Sequence, residues 1–228
     1  MIRFLTLCSG LALLAAGLNL QAQTRVEVSH RRADTAPAAV RYHYLFENER
    51  FTTPREELEF GADGRGKYRF TRKDRGEVVN DLAVSPELAA RVGALFSELR
   101  FLESSEDYQH KKDFSHLGKI TVGEARDGRE RAATFNYTDN EIMTRLVEIF
   151  RNIATQEWRV FDLENVRATD PISTPAQLRL LESELKSKRI AEPRRLVPLL
   201  QELRTDESVP LIARNHAERL IKTIDKEK

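Results

Sequence analysis

Twice along this chain, alternating apolar and polar runs joined at an Asp-Gly turn are followed by an apolar stripe at helical spacing. The first such segment extends from Leu58 to Leu99 and the second from Ile120 to Ile153. Alternation puts every second side chain on one face of a strand, whereas spacings of three and four put side chains on one face of a helix. The pattern predicts an α+β fold in which an antiparallel sheet carries helices on one face. One hypothesis for the repeated pattern is a duplicated β-β-α unit. The alternative is a chance recurrence, because β-β-α arrangements and Asp-Gly-Arg turns are common.

Further local signals place individual elements. An alternating run from Val40 to Phe46 predicts a strand before the first segment. Ser85 followed by Pro86 is typical of a helix start, since serine caps free backbone N–H groups and proline fits the first helical position. The sequence Thr138-Asp139-Asn140-Glu141 has capping-box spacing and predicts a second helix start.

The apolar stripe at helical spacing extends to Ile153. Trp158, Val160 and Phe161 then favour a short closing strand or an extended tail.

Aromatic side chains are concentrated on one face of the first strand, at Tyr42, Tyr44 and Phe46. Aromatic residues with a polar tip suit binding interfaces. A periodic apolar face normally points inward, however, so the sheet core is the favoured interpretation and a binding surface is the alternative.

The N-terminus has the pattern of an export signal. Arg3 precedes an apolar run from Phe4 to Leu20 that small and polar residues interrupt. A membrane-spanning helix needs about 20 strongly apolar residues, so the run predicts a signal peptide over residues 1–22, cleaved after Ala22. Cys8 would leave with it, and a mature chain without cysteine is more typical of a bacterial envelope protein than of a disulfide-rich secreted domain. We therefore expect a periplasmic or secreted protein with no membrane span after cleavage.

The charge balance limits the kinds of partner. The chain has 37 Lys and Arg against 36 Asp and Glu, a formal charge of +1. Signal cleavage would remove one charged residue, Arg3, and leave a net charge of zero. Nucleic-acid binders normally carry a basic excess, so nucleic acid is not expected as a partner.

Pro-containing turns at Asp170-Pro171 and Ser173-Thr174-Pro175 indicate a boundary. We expect an exposed leader over residues 23–38, an α+β domain over 39–165 and a small helical segment over 172–226. Three apolar stripes in the last segment predict three helices.

Part of this segment, residues 196–224, resembles a single HEAT repeat, which is a paired-helix unit. The residues that carry the resemblance are Leu196 to Leu203, Asp206, Ala213, Arg214, Ala217 and Ile221. In that family the Asp turns the chain and the small residues let the two helices approach. Pro210 departs from the pattern and fits only near the start of its helix. Such repeats need stacked neighbours, so the resemblance implies that this unit packs on the first domain or on a partner.

The most polar stretch between regular elements is residues 103–116, and long loops of this kind often carry function. Its His110, Asp113 and His116 offer two imidazoles and a carboxylate to a metal ion. Their spacing matches no established metal motif, and the two adjacent lysines would repel a cation. A solvated loop in which Asp113 or Ser115 caps a turn is favoured. We therefore assign no catalytic, cofactor or metal site, and the three residues remain candidate metal ligands only.

The sequence lacks the common catalytic signatures: a Gly-x-Ser-x-Gly elbow, a His-Glu-x-x-His helix, a phosphate-binding Gly-rich loop and a Cys pair. We expect an exported, non-catalytic module of the bacterial cell envelope that binds a protein or an envelope component, without a cofactor. The alternatives are an unrecognised hydrolytic enzyme that uses the loop 103–116 and a structural envelope protein.

Overall fold

The structure is a computed structural model that describes residues 40–74 and 76–226. The predicted signal peptide of residues 1–22 and nearly all of the region before β1, including the leader of residues 23–38, lie outside the described residues. The strands are β1 Arg41–Glu47, β2 Arg55–Gly61, β3 Arg65–Arg72, β4 Gly76–Ala83, β5 Lys119–Arg126 and β6 Arg129–Phe135. The α-helices are α1 Pro86–Glu98, α2 Glu141–Thr169, α3 Thr174–Lys186, α4 Val197–Thr205 and α5 Leu211–Lys226.

All six strands form one antiparallel sheet in the order β4-β3-β2-β1-β5-β6. The predicted α+β class with an antiparallel sheet is confirmed. The β5–β6 turn is Asp127-Gly128, with φ of 53° and 75°, as the Asp-Gly signal predicts.

One face of the sheet carries the main apolar core. Tyr42, Tyr44 and Phe46 are all buried, so the core interpretation of these aromatics is confirmed. Helices α1 and α2 pack their apolar stripes on this same face, which is the predicted arrangement. The opposite face carries charged side chains, such as Arg55 bridging Glu47 and Glu57 at 3.0 Å each.

The two segments that share a pattern in the sequence are not copies strand for strand. The first holds β2, β3, β4 and α1, whereas the second holds β5, β6 and the first part of α2. Only β3-β4-α1 and β5-β6-α2 share an element order, and these hairpins form opposite edges of the sheet. A duplicated unit would therefore be limited to one terminal hairpin and its helix.

Helix α2 is longer than predicted. It spans 29 residues and includes Trp158, Val160 and Phe161, so the predicted closing strand is wrong. Trp158 and Phe161 pack against the core on the sheet, whereas Val160 and the buried Leu163 belong to a second apolar cluster formed with α3, α4 and α5. A helix that packs into two cores on different sides shows no single stripe in its sequence.

The two predicted helix starts differ in outcome. The Ser85 hydroxyl accepts a hydrogen bond from the Leu88 N–H at 3.1 Å, so this cap is confirmed. The predicted capping box is wrong, because the cap of α2 is Asn140, whose side-chain oxygen accepts from the Met143 N–H at 3.0 Å. Thr138 lies before the helix and accepts from the Asn140 N–H at 3.2 Å.

The C-terminal helices are tied to α2 by a buried ion pair. Arg159 on α2 donates two hydrogen bonds to the Glu184 carboxylate on α3, at 2.9 and 2.7 Å. The described residues form one compact unit. None of the described helices is both long enough and apolar enough to cross a membrane.

Candidate functional site: an aromatic groove

A concave surface of about 810 Å³ opens beside α2, on the helix-covered face of the sheet. We call it the aromatic groove and divide it into an apolar wall and a basic rim. The apolar wall is formed by Tyr44, Phe46, Phe51, Leu117 and Tyr137, and the basic rim by Arg151, Lys188 and Arg189. Ligand sites in proteins typically have volumes of about 300–1,000 Å³, so the groove has the size of a binding site.

The apolar wall exposes three large side chains. Phe51, Leu117 and Tyr137 are 51%, 44% and 43% exposed, whereas Tyr44 and Phe46 beneath them are buried. Single exposed apolar residues need no explanation, but a contiguous cluster in a concave surface is typical of interaction sites.

Two loops are tied together to build this wall. Asn48, itself buried, donates its backbone N–H to the Pro54 carbonyl at 2.8 Å and its side-chain N–H to the His116 carbonyl at 3.3 Å. The first bond closes the loop that carries Phe51, and the second joins it to the turn that carries Leu117. A buried amide with satisfied hydrogen bonds fixes loop geometry, because breaking it would strand polar groups away from water.

Gly118 lets the turn that carries Leu117 run close over the strand below. Its φ is 98° and its ψ is −176°, a region that is open essentially to glycine alone. A Cβ at this position would lie 2.7 Å from the Phe46 ring and 2.8 Å from the Glu47 carbonyl oxygen. The turn can therefore pack against Phe46 only because residue 118 has no side chain.

The basic rim combines a helix with the turn that follows α3. Arg151 is exposed on α2, and the neighbouring Asn152 donates its side-chain N–H to the Lys188 carbonyl at 3.3 Å. Lys188 has a φ of 54° as the chain leaves α3, and its N–H bonds back to the Leu185 carbonyl at 3.0 Å. The Asn152 side chain thus holds the backbone of the turn against α2, and the long basic side chains of the rim are exposed.

Across residues 40–74 and 76–226, no Asp or Glu forms an ion pair with Arg151, Lys188 or Arg189. Two acidic residues also line the groove, Glu148 on the exposed surface of α2 and Glu56 on β2.

Burial changes the acid–base properties of two groups that line the groove. It raises the pKa of Tyr44 to about 12, and the charge of Arg151 and its hydrogen bond to this phenol oppose the rise. Burial also raises the pKa of the Glu56 carboxyl group, and the Tyr68 hydroxyl, which donates to it at 2.8 Å, opposes this rise. Glu56 therefore holds its negative charge less readily than an exposed glutamate does.

The three candidate metal ligands from the sequence do not converge. His110 accepts the Lys112 N–H on Nδ1 at 2.8 Å, and its Nε2 lies 3.1 Å from an Asp139 carboxylate oxygen. Asp113 accepts the Ser115 N–H at 2.7 Å, which is the turn-capping role that the sequence favours. His116 is exposed and contributes its backbone carbonyl to Asn48. In the described part of the chain, no group of three His, Cys, Asp or Glu side chains is arranged to hold a metal ion.

The long loop is nevertheless ordered by specific contacts. The Arg131 guanidinium donates to the carbonyls of Phe101 and Glu106 at 2.7 Å each and lies 4.5 Å from the centre of the Phe101 ring. Tyr108 inserts its ring into the core, and the His110 N–H bonds to the Tyr137 carbonyl at 2.9 Å. The loop thus supports the groove by holding the chain around Tyr137.

Sequence analysis did not identify the groove, because its residues are far apart along the chain. The available signals were weak: Phe51 is an apolar residue in a polar loop, and Leu117 follows the polar stretch 103–116. Neither residue indicates a partner side chain by spacing alone.

The chain matches no protein-family model, and no curated protein matches it significantly.

Proposed function

We propose that this chain is an exported, non-catalytic binding module of the bacterial cell envelope and that the aromatic groove is its binding surface. The observation that carries the proposal is the combination, in one concave surface, of the exposed apolar wall with a basic rim that has no ion-pair partner among the described residues. Aromatic residues and arginine are enriched at protein interfaces. Loops held by buried hydrogen bonds also present this surface at low entropic cost on binding.

The alternative of a hydrolytic enzyme that uses the loop 103–116 has less support. The ring nitrogens of His110 both have neighbours, and Asp113 is engaged in a turn. A catalytic site needs a nucleophile, a base and a stabilising group around one reacting atom. The loop does not bring such a set together.

The export part of the proposal rests on residues 1–22. We propose that Arg3 and the apolar run after it direct export and that cleavage after Ala22 releases a chain that begins at Gln23. N-terminal sequencing of the protein recovered from its host tests this step. A chain that still begins at Met1 would contradict it.

For the C-terminal helices we propose a single HEAT-like unit that packs on α2 and α3 instead of on further repeats. In its support, Ala213 and Ala217 are fully buried, and Asp206 follows the end of α4 with its carboxylate accepting the Ser208 N–H at 3.0 Å. Small residues at such positions let two helices approach closely.

Site-specific photo-crosslinking tests the groove as a binding surface. A photoreactive phenylalanine analogue replaces Leu117 or Tyr137 in one pair of variants and Ile212 in a control. Ile212 is also well exposed but lies outside the groove. We expect adducts with a defined envelope component at the two groove positions and not at the control position.

The crosslinked component is then purified and its affinity measured by calorimetry. Truncation of a central aromatic contact typically costs about 1–2 kcal/mol or more in binding, so Phe51→Ala should weaken binding about tenfold while Ile212→Ala leaves it unchanged. Equal crosslinking at all three positions, or equal affinity of the two variants, would overturn the groove as the binding surface.

A further inference from the structure

We propose that the aromatic groove takes an extended peptide segment of a partner protein in which acidic side chains alternate with apolar ones. This inference rests on the proposed binding function and adds the chemical class of the ligand. Three observations support it: the charge of the basic rim, the position of that charge relative to the apolar wall, and the shape of the groove.

The charge on the groove favours an anionic ligand. Three cationic side chains line it without an acidic partner in the described structure, against Glu148 and Glu56. Of these two acids, Glu148 is exposed, whereas Glu56 is only partly exposed and accepts a hydrogen bond from the Tyr68 hydroxyl. The cationic side chains outnumber the two acidic ones. Complementary charges across an interface speed the encounter of partners and select among them.

The C-terminus of α3 explains only part of this charge. Basic residues near a helix C-terminus interact favourably with its partial negative charge, and this accounts for the placement of Lys188. Arg151 lies in the middle of α2, 10 residues after the helix begins at Glu141, so no helix end accounts for its position. Arg151 lines the groove together with Tyr44, where the basic rim meets the apolar wall.

The relation of the rim to the wall favours an alternating peptide. Arg151 lines the same groove as Tyr44, whose ring stacks on Phe150 at 5.3 Å, so a cationic group and an aromatic ring both border the groove. In an extended peptide, successive side chains point to opposite sides. One set would then contact the apolar wall while the other reaches the basic rim.

The shape of the groove and the net charge of the chain argue against the other anionic partners. A nucleic-acid site normally has a larger basic excess than three side chains in a chain of formal charge +1. Binding to an anionic bilayer uses basic groups that face a flat surface, whereas this rim borders a concave groove. A short peptide segment fits both the charge and the concavity.

Fluorescence anisotropy with two labelled ten-residue peptides tests the inference on the full exported protein. The peptides share the same apolar residues at alternate positions and carry either aspartate or lysine between them. We expect the aspartate peptide to bind at least about tenfold more tightly than the lysine peptide. The difference should shrink as salt is raised, because exposed charges are screened.

Variants then assign the preference to the rim. Arg151→Gln and the double variant Lys188→Gln/Arg189→Gln should each reduce the preference for the aspartate peptide about threefold or more. The double variant does not touch Tyr44, so it keeps the test valid if Arg151→Gln perturbs the fold. Arg91→Gln, on an exposed part of α1 outside the groove, is the matched control and should leave the preference unchanged.

The outcomes separate this inference from the proposed function. If both peptides bind equally and Phe51→Ala weakens both, the groove binds peptides but the acidic class is wrong. If neither peptide binds and the crosslinking test also fails, the binding function of the groove fails too. Competition by phosphatidylglycerol vesicles without binding of the aspartate peptide would replace the peptide with a membrane surface and overturn the inference.

Discussion

The buried ion pair between α2 and α3 yields a quantitative prediction for the Arg159→Met variant. Arg159 and Glu184 have side chains that are only 6% and 10% exposed, and Arg159 also donates to Gln177 at 2.7 Å. Removal of the guanidinium leaves a buried carboxylate without its two donors. Breaking a buried pair in this way costs about 3–5 kcal/mol. In a domain of this size each kcal/mol lowers Tm by about 2–4 °C, so we expect a fall of roughly 6–20 °C.

Urea denaturation measures the loss in free energy of unfolding, and thermal denaturation measures the fall in Tm. Both are monitored by circular dichroism and by the fluorescence of Trp158, the single tryptophan of the chain. Arg145→Met is the matched control, because Arg145 is on the same helix and pairs with Glu98 at 3.2 Å with both side chains more than half exposed. Exposed pairs are worth about 0–1 kcal/mol, so the control should unfold close to the wild-type midpoint.

The double variant Arg159→Met/Glu184→Leu identifies the cause of the loss. Replacing both members of a buried pair with apolar residues is often neutral or stabilising, so the double variant should recover most of the stability that Arg159→Met loses. If the double variant is as unstable as the single variant, the stranded carboxylate is not the cause. If Arg159→Met costs no more than Arg145→Met, the ion pair does not hold the two helices together.

Three further substitutions have expected effects that follow from local geometry. Gly118→Ala should lower the free energy of unfolding by about 3 kcal/mol or more, because it strains the backbone and clashes with the Phe46 ring. The control Gly128→Ala, also at positive φ but with open space around it, should cost about 1 kcal/mol in urea denaturation. Equal losses for the two variants would refute the steric argument. Glu56→Gln should stabilise the protein at neutral pH and not near pH 4, because the raised pKa of the Glu56 carboxyl means that folding is penalised once the pH exceeds the usual carboxyl value of 4.5. An equal effect of the substitution at the two pH values would contradict this reasoning. Asn140→Ala should cost about 1 kcal/mol in the same assay, from loss of the α2 cap, and an unchanged midpoint would contradict that role.

The parts of the fold that the sequence predicted correctly are those set by local periodicity. The alternation around Tyr44 and the cap at Ser85 each depend on residues within a few positions of one another. The end of α2 was predicted wrongly because its side chains serve two cores. Phe161 faces the sheet and Leu163 faces the C-terminal helices, so the usual single stripe is lost.

The candidate site could not be predicted from the sequence, for a different reason. The bond that joins its two loops connects Asn48 to His116, 68 positions apart, and neither residue belongs to a motif that would pair them. Histidine and aspartate in the loop 103–116 were candidate ligands because metal ions bind a few characteristic residue types. An apolar wall consists of ordinary residues, and only their exposure in the folded chain marks them as unusual.

The ion pair that joins α3 to α2 lies next to the turn that forms part of the basic rim. Arg159 anchors α3 to α2 through Glu184, and the Glu184 carbonyl also accepts the Arg189 N–H at 2.9 Å as the chain turns into the basic rim. The ion pair and the start of the rim therefore share one residue. A shift of α3 along α2 would move the cationic groups of the turn, whereas Arg151 would stay in place on α2. The basic rim is therefore built from two elements. Helix α2 places the charge of Arg151 beside the apolar wall, and the position of α3 sets the distance from there to Lys188 and Arg189.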